Sequence, residues 1–240
     1  NYGYTILNTD ATNLVAWYKF DGDLNNSAIV GNIGTLVNTG TNNVTFIDSF
    51  GNYMFNKSAL ANDTILTIPN FHFNNLTEGY TKSFTISFWF KANSISGTWN
   101  VLFDASNYTS FTSGIRIYLN SNNYIYMYYY NNASSSDYRY SLNGTFTDDK
   151  WRLLTFVYTY KLHSNDVFTY DFRFYENGIL NNITSSSGAT NSGVDEQIIK
   201  SDSSYGFQIG HSAEGTEYPN EGYYDDFRIY DKALSAEEVE

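Results

Sequence analysis

The chain contains no cysteine, which excludes disulfide frameworks, zinc–thiolate clusters and cysteine nucleophiles together. The compartment stays open, because a domain with a large core does without disulfides even outside the cell. Positive charge is the next shortage: 13 Lys and Arg face 25 Asp and Glu, for a net charge of -12. Such a surface repels a phosphate backbone and argues against nucleic acid as a partner. It suits neutral polar ligands such as glycans, cationic partners and Ca²⁺. With only 2 Pro and 17 Gly, the composition is neither collagenous nor that of a flexible linker. The apolar runs are far too short for a membrane span, so membrane insertion is not expected. No charged segment followed by an apolar one opens the chain, and it does not begin with Met. It reads as a mature domain or a fragment of something longer.

What is present is a chain of 240 residues, 42% hydrophobic and 19% aromatic, enough to fill one large β domain. Nearly every patterned segment alternates with the two-residue period of a half-buried strand. From Lys82 to Lys91, Phe84, Ile86, Phe88 and Phe90 share one face, with Ser83, Thr85, Ser87 and Trp89 on the other. Gly114 to Asn120 sets Ile115, Ile117 and Leu119 against Arg116 and Tyr118, and Tyr124 to Tyr130 follows after the turn residues Ser121-Asn122-Asn123. These two predict a hairpin. Trp151 to Tyr160 and Phe168 to Glu176 give two long strands, the second closed by Asn177-Gly178, and Gly206 to Gly210 gives a short one. Tyr224 to Tyr230 closes the sheet region, with Asp225 and Asp226 at its start, where neither needs burial. Ser235 and Glu238 then form a Ser-x-x-Glu capping box opening a helical turn. The segments Asn131 to Asp137, Asn181 to Gly193 and Ser212 to Gly222 read as loops, and residues 1–12 as an arm or linker end. The fold class is therefore all-β, an antiparallel two-sheet β-sandwich over residues 13–240.

Five segments also carry a family resemblance. They are Asn13 to Ser27 with its Phe20-Asp21-Gly22 turn, Ser83 to Lys91, Lys150 to Phe156 led by Trp151, Phe174 to Gly178, and Ile209-Gly210. With the closing run Gly222 to Ser235 they resemble, in order and spacing, the laminin-G-like jelly-roll family of the concanavalin A-like lectin/glucanase superfamily. The resemblance implies two antiparallel sheets packed face to face, one of them concave, in jelly-roll connectivity. It also implies a structural cation joining the turn after the first strand to the start of the last. Asp21, Asp23 and Asn25, with Asn26 beside them, and Asp225 are the residues at those positions, and Ca²⁺ is the ion their oxygens suit. Solvated turn chemistry is the plain alternative for the same residues. One departure bears on this site: where the family has a Ser-Gly-Asn-Gly type of loop, the chain reads Ala28-Ile29-Val30-Gly31-Asn32.

Catalysis by paired carboxylates needs an acid and a base or nucleophile flanking the scissile bond. Glucanases of the superfamily carry them as Glu-x-Asp-x-Glu on one strand, and no such pattern occurs here. Glu214, Glu217 and Glu221 cluster in a predicted loop, Asp148-Asp149 reads as a turn, and His72, His163 and His211 have no metal-ligand spacing. A sugar-binding face is the better candidate. Tyr124, Tyr126, Tyr128 and Tyr130 alternate with Ile125, Met127 and Tyr129, and Tyr138-Arg139-Tyr140 follows an Asn/Ser stretch. If Ile125 and Met127 point inward, a row of tyrosines faces outward, with Arg116 and Tyr118 across from it on the neighbouring strand. The other reading of the row is the general preference of strands for Tyr. Trp17, Trp89 and Trp151 read as packing residues; Trp99, which follows a loop, is the one tryptophan placed to reach a ligand, but packing is the leading reading for it too. The expectation is a non-catalytic recognition or attachment module for a glycan or glycoprotein, part of an extracellular or virion-surface protein. A glycoside hydrolase or lyase, and a structural adhesion domain binding only protein, are the alternatives.

Overall fold

Alternating sequence becomes paired strand throughout the computed structural model, which describes residues 13–28, 35–38, 43–47, 58–61, 65–68, 83–95, 99–106, 113–122, 124–131, 134–141, 149–162, 168–181, 183–187, 207–211 and 221–239. The first sheet contains β1 (Leu14–Tyr18), β3 (Thr45–Ile47), β4 (Ser58–Ala61), β6 (Phe84–Ser94), β11 (Arg152–Leu162), β12 (Phe168–Glu176), β13 (Ile179–Asn181) and β16 (Glu221–Tyr230). Its order is β13-β12-β11-β6-β16-β4-β3, with β1 also pairing β16. The second contains β2 (Val37–Asn38), β5 (Leu66–Ile68), β7 (Trp99–Ser106), β8 (Ser113–Asn120), β9 (Tyr124–Asn131), β10 (Ser134–Ser141), β14 (Ile183–Ser187) and β15 (Phe207–Ile209). Its order is β14-β10-β9-β8-β7-β15-β5-β2. Each pairing is antiparallel, so neighbours in sequence such as β8 and β9 are joined by short turns while others cross between sheets.

The core is where the inward rows of the two sheets meet. Phe88 of β6 stacks on Phe227 of β16 at 5.0 Å and on Phe156 of β11 at 6.0 Å. It meets the edge of Phe103, from β7 of the opposite sheet, at 6.3 Å, and Phe103 stacks in turn on Phe207 of β15 at 5.5 Å. Aromatic pairs in these geometries contribute about 0.5–1.5 kcal/mol each beyond their buried area. Ile115, Ile117, Leu119, Ile125 and Met127 complete this cluster, so the inward rows of β8 and β9 are the ones their alternation predicts. Close approach also fixes Gly222, because a Cβ there would come within 2.3 Å of the Phe90 ring.

A smaller cluster covers part of the first sheet's outer side. Val157, Tyr175 and Tyr230 pack there with Leu234 and with Val239 of the terminal helix α1 (Ala236–Val239). The capping box that opens α1 is made: the Ser235 N–H donates to Glu238 Oε2 at 2.9 Å. Asn177 and Gly178 have φ values of 53° and 78°, the left-handed pair that a two-residue hairpin turn requires. The Asn177 side chain accepts the Leu153 N–H at 2.9 Å and ties the turn to β11.

The structure adds strands that alternation does not announce. Ser134–Ser141, read partly as loop, is β10 and is paired along its length with β9. Ile183–Ser187, inside another predicted loop, pairs with β10 as β14. Serine-rich segments have no burial pattern of their own, and the neighbouring ladder determines their state.

Candidate functional site

The closing strand is longer than its sequence pattern. It starts at Glu221, so Asp225 and Asp226 fall in mid-strand rather than at its start. β6 flanks β16 along its length, but the opposite flank is shared, with β4 pairing Gly222 to Tyr224 and β1 pairing Phe227 to Tyr230. The two aspartates occupy the junction. There the register slips: Asp225 is opposite Trp89 and Arg228 opposite Ser87, which leaves two residues of β16 facing Phe88. This is a β-bulge, and Asp226 takes the left-handed conformation at φ 50°.

The bulge sends the two carboxylates to different fates. Asp226 accepts the Trp17 indole N–H at 2.6 Å through Oδ1 and pairs with Arg228 at 3.0 Å through Oδ2. Asp225 is only 1% exposed, which corrects the expectation that neither aspartate needs burial. Its Oδ1 accepts the Asp226 N–H at 2.8 Å, while Oδ2 has no hydrogen-bond partner. Burial raises its pKa to about 8, and the neighbouring Asp226 charge and Asp21 add to the rise, against a partial offset from the Asp226 backbone N–H.

Asp21 reaches this neighbourhood because the chain reverses sharply after β1. Phe20, fully buried, has φ 55°, and Gly22 has φ 107°. Asn26 then clips the turn to β1: its Oδ1 accepts the N–H groups of Trp17 and Ala28, each at 2.9 Å, and its Nδ2 donates to Val15 O at 3.3 Å. Asp23 Oδ1 accepts the Asn25 N–H at 2.9 Å, and both residues are exposed on the far side of the turn's own hydrogen bond. Among the described residues, no group of three or more His, Cys, Asp and Glu side chains is arranged to hold a metal ion. Of the four expected ligands, Asp225 is buried, Asp21 is exposed on the turn and its charge adds to the rise in the Asp225 pKa, and Asp23 accepts the Asn25 N–H within the turn.

The tyrosine row is on the second sheet. Ile125 and Met127 are fully buried in the core, so Tyr124 and Tyr126 occupy the opposite face, half-buried, with ring centroids 6.5 Å apart. The register places Tyr118 opposite Tyr126 and Arg116 opposite Tyr128, as the hairpin predicts. Their exposure differs from expectation. Arg116 is 1% and Tyr118 is 7% exposed, because Arg116 is committed to Asp104 of β7 at 2.7 Å and donates to the Tyr118 hydroxyl at 3.1 Å. On β10, Arg139 is paired with Tyr126, while Tyr138 is paired with Met127 in the inward row. The side chains of Tyr128, Tyr130, Tyr138, Arg139 and Trp99 lie outside the described residues.

Glu214, Glu217 and Asp148 lie outside the described residues, as do His72 and His163. Asp149 is a surface residue paired with Lys91 at 2.6 Å, and His211 is buried. Two further carboxylates, Asp104 and Glu176, are buried, each held by an arginine, Glu176 by Arg152 at 2.9 Å.

A laminin-G model of the concanavalin A-like lectin/glucanases superfamily matches residues 60–240. The chain belongs to this superfamily. No curated protein sequence matches this superfamily member. Among solved structures it is similar to domain 4 of AbnA, an extracellular arabinanase from Geobacillus stearothermophilus, in complex with arabinotriose. That match has 19% identity and a TM-score of 0.57, and covers 95% of this chain and 96% of the other. The binding domain of botulinum neurotoxin DC, in complex with rat synaptotagmin II, is 17% identical with a TM-score of 0.61. The binding domain of Paraclostridial mosquitocidal protein 1 is 20% identical with a TM-score of 0.60. The chain is covered to 95% in both toxin comparisons but spans about half of each toxin domain, 50% and 51%. At these identities the likeness concerns the fold, which hosts many functions.

Proposed function

We propose that residues 13–240 form one non-catalytic recognition domain whose ligand is a carbohydrate, carried by a larger extracellular or virion-surface protein. The observation that carries this reading is the half-exposed pair Tyr124 and Tyr126 on the second sheet, backed by the fully buried Ile125 and Met127. Two tyrosine rings side by side on a rigid ladder present apolar faces for sugar C–H groups, and their hydroxyls present hydrogen-bonding groups. On β10, the neighbouring strand, Arg139 is the register partner of Tyr126. The buried Asp104–Arg116 ion pair beneath contributes positioning, because it fixes the strand next to the row. Family membership, and a structural neighbour solved with arabinotriose, support a glycan as the ligand. The neighbour solved with synaptotagmin II favours the second reading, a protein partner.

Calcium belongs to the same proposal as a structural ion. The reading is supported by the buried Asp225, whose Oδ2 has no hydrogen-bond partner, and by the Asp21 charge, which adds to the rise in its pKa; a cation would satisfy both. Asp21 and Asp225 would hold it. When bound, the ion neutralises the charge that burial otherwise opposes and joins the first strand's turn to the last strand.

A glycan array tests the ligand. The chain is expected to select a small set of oligosaccharides, and Tyr126→Ala to weaken binding at least about tenfold, the loss of one stacked ring. Silence across the array, or full binding by the variant, would sink the tyrosine reading.

A further inference from the structure

Three of the four tryptophans belong to segments of the first sheet's outer side rather than its core. Trp89 alternates with the fully buried Phe88 and Phe90 and is half-buried on the opposite face. In the adjacent row, Tyr223 of β16 is paired with Lys91 of β6 and points away from the buried Tyr224. Trp151, just ahead of β11, sets its ring 6.4 Å from that of Tyr223 at 55°. Two half-buried rings thus offer adjoining planes on a sheet surface, and polar groups border them.

The Tyr223 hydroxyl donates to Asn93 Oδ1 at 3.3 Å, and Asn93 is exposed. Lys91 Nζ sits 5.2 Å from the Tyr223 ring centre and 2.6 Å from Asp149 Oδ1. The Asp149 side chain is 82% exposed, and its backbone is left-handed at φ 58°, a conformation that aspartate adopts more readily than most residues. A carboxylate has about four acceptor positions, so one ammonium contact leaves room for hydroxyl donors.

We infer that Trp151 and Tyr223, with Asn93, Lys91 and Asp149 at their edge, form a second saccharide-binding site on the sheet opposite the tyrosine row. The rings take the C–H face of a sugar, and the amide, ammonium and carboxylate take its hydroxyls. Both donors and acceptors are supplied at the edge of an apolar plane, which is the chemistry of a polyhydroxylated ring rather than of a lipid chain or a plain apolar peptide. The inference rests on the carbohydrate reading but not on the tyrosine row, since the two faces are on different sheets.

The test uses the full chain, an array of neutral and acidic oligosaccharides, and calorimetric titration of the strongest binder. Two sites per chain are expected, with Asp149→Ala and Trp151→Ala each weakening one of them at least about tenfold, the range for loss of an anchoring contact. Trp151→Ala is also expected to remove the ligand-induced change in tryptophan emission. Asp149 is exposed, so its variant keeps the test valid if Trp151→Ala fails to fold. Wild-type stoichiometry and affinity in Asp149→Ala and in a folded Trp151→Ala would overturn the inference. If Tyr126→Ala removes all binding, the tyrosine row is the only site and this inference falls alone. If the Trp151 and Asp149 changes remove all binding while Tyr126→Ala removes none, this inference stands and the tyrosine row falls. A silent array overturns both, and a protein ligand lost on Trp151→Ala would reassign the face to a protein partner.

Discussion

The outward faces of the two sheets handle polar groups in opposite ways. On the second sheet, Asp104 and Arg116 are 0% and 1% exposed and bound to each other. On the first, Asp149 and Arg173 stay in solvent, with Lys91–Asp149 and Arg173–Asp171 at 2.6 and 2.8 Å, while half-buried rings occupy the space between strands. A buried pair costs desolvation of both charges and in return specifies one arrangement of the strands that carry it. An exposed pair costs little and specifies little, but it leaves its groups available to a ligand. If both proposed sites hold, one face provides rigidity beside its site, and the other holds its polar groups at the site itself.

The sharpest way to break this contrast is to remove one partner of the buried pair. Arg116→Met strands the Asp104 carboxylate, and urea unfolding is expected to show a loss of about 3–5 kcal/mol. The double change Asp104→Leu with Arg116→Met is expected to recover most of it.

Asp225 gives the next effect. The proposed cation at the junction would add stability by mass action, about 2.7 kcal/mol at a hundredfold excess over its dissociation constant. Chelator is therefore expected to lower the melting temperature of the wild type and leave Asp225→Ala unchanged. An identical wild-type melt with and without chelator removes the ion from the account. With chelator present, pH sharpens the same point. The Asp225 carboxyl titrates near 3.8 when unfolded and near 8 when folded. Between those values the unfolded chain has lost the proton and the folded chain keeps it, so stability falls as pH rises and the loss is complete above about 8. Asp225→Asn is expected to abolish that slope in thermal melts from pH 5 to 9. The smallest effect belongs to the surface pair: Asp171→Asn is expected to change stability by about 1 kcal/mol or less.

The main strands were legible because their burial is one-sided. Phe84 to Phe90 and Ile115 to Leu119 show which side faces the core before any partner is known. The turn at Asn177-Gly178 was equally legible, since left-handed backbone restricts which residues stand there. β10 and β14 were not, because serine carries no sign of inside or outside and their state depends on the ladder beside them. The burial of Arg116 was hidden for a related reason. Its partner Asp104 is on β7, a strand that alternation did not mark, so nothing nearby in sequence announced an opposite charge. The bulge at Asp225 and Asp226 shows the limit most clearly. Paired carboxylates suggest an exposed strand start, and only the shared flank of β4 and β1 explains how one of them is enclosed.

That shared flank has a kinetic consequence. β16 occupies the middle of the first sheet, between β6 on one side and β4 with β1 on the other, yet it is formed from residues 221–230 of a chain of 240. Asn13 and Asp231 meet by a side-chain hydrogen bond across 218 positions. During synthesis, β6 has one ready neighbour in β11 and an open edge on its other side until the final strand arrives. Contacts of such long sequence separation make folding slow. An edge left open for that time is also a surface on which a second nascent chain could insert its own β16.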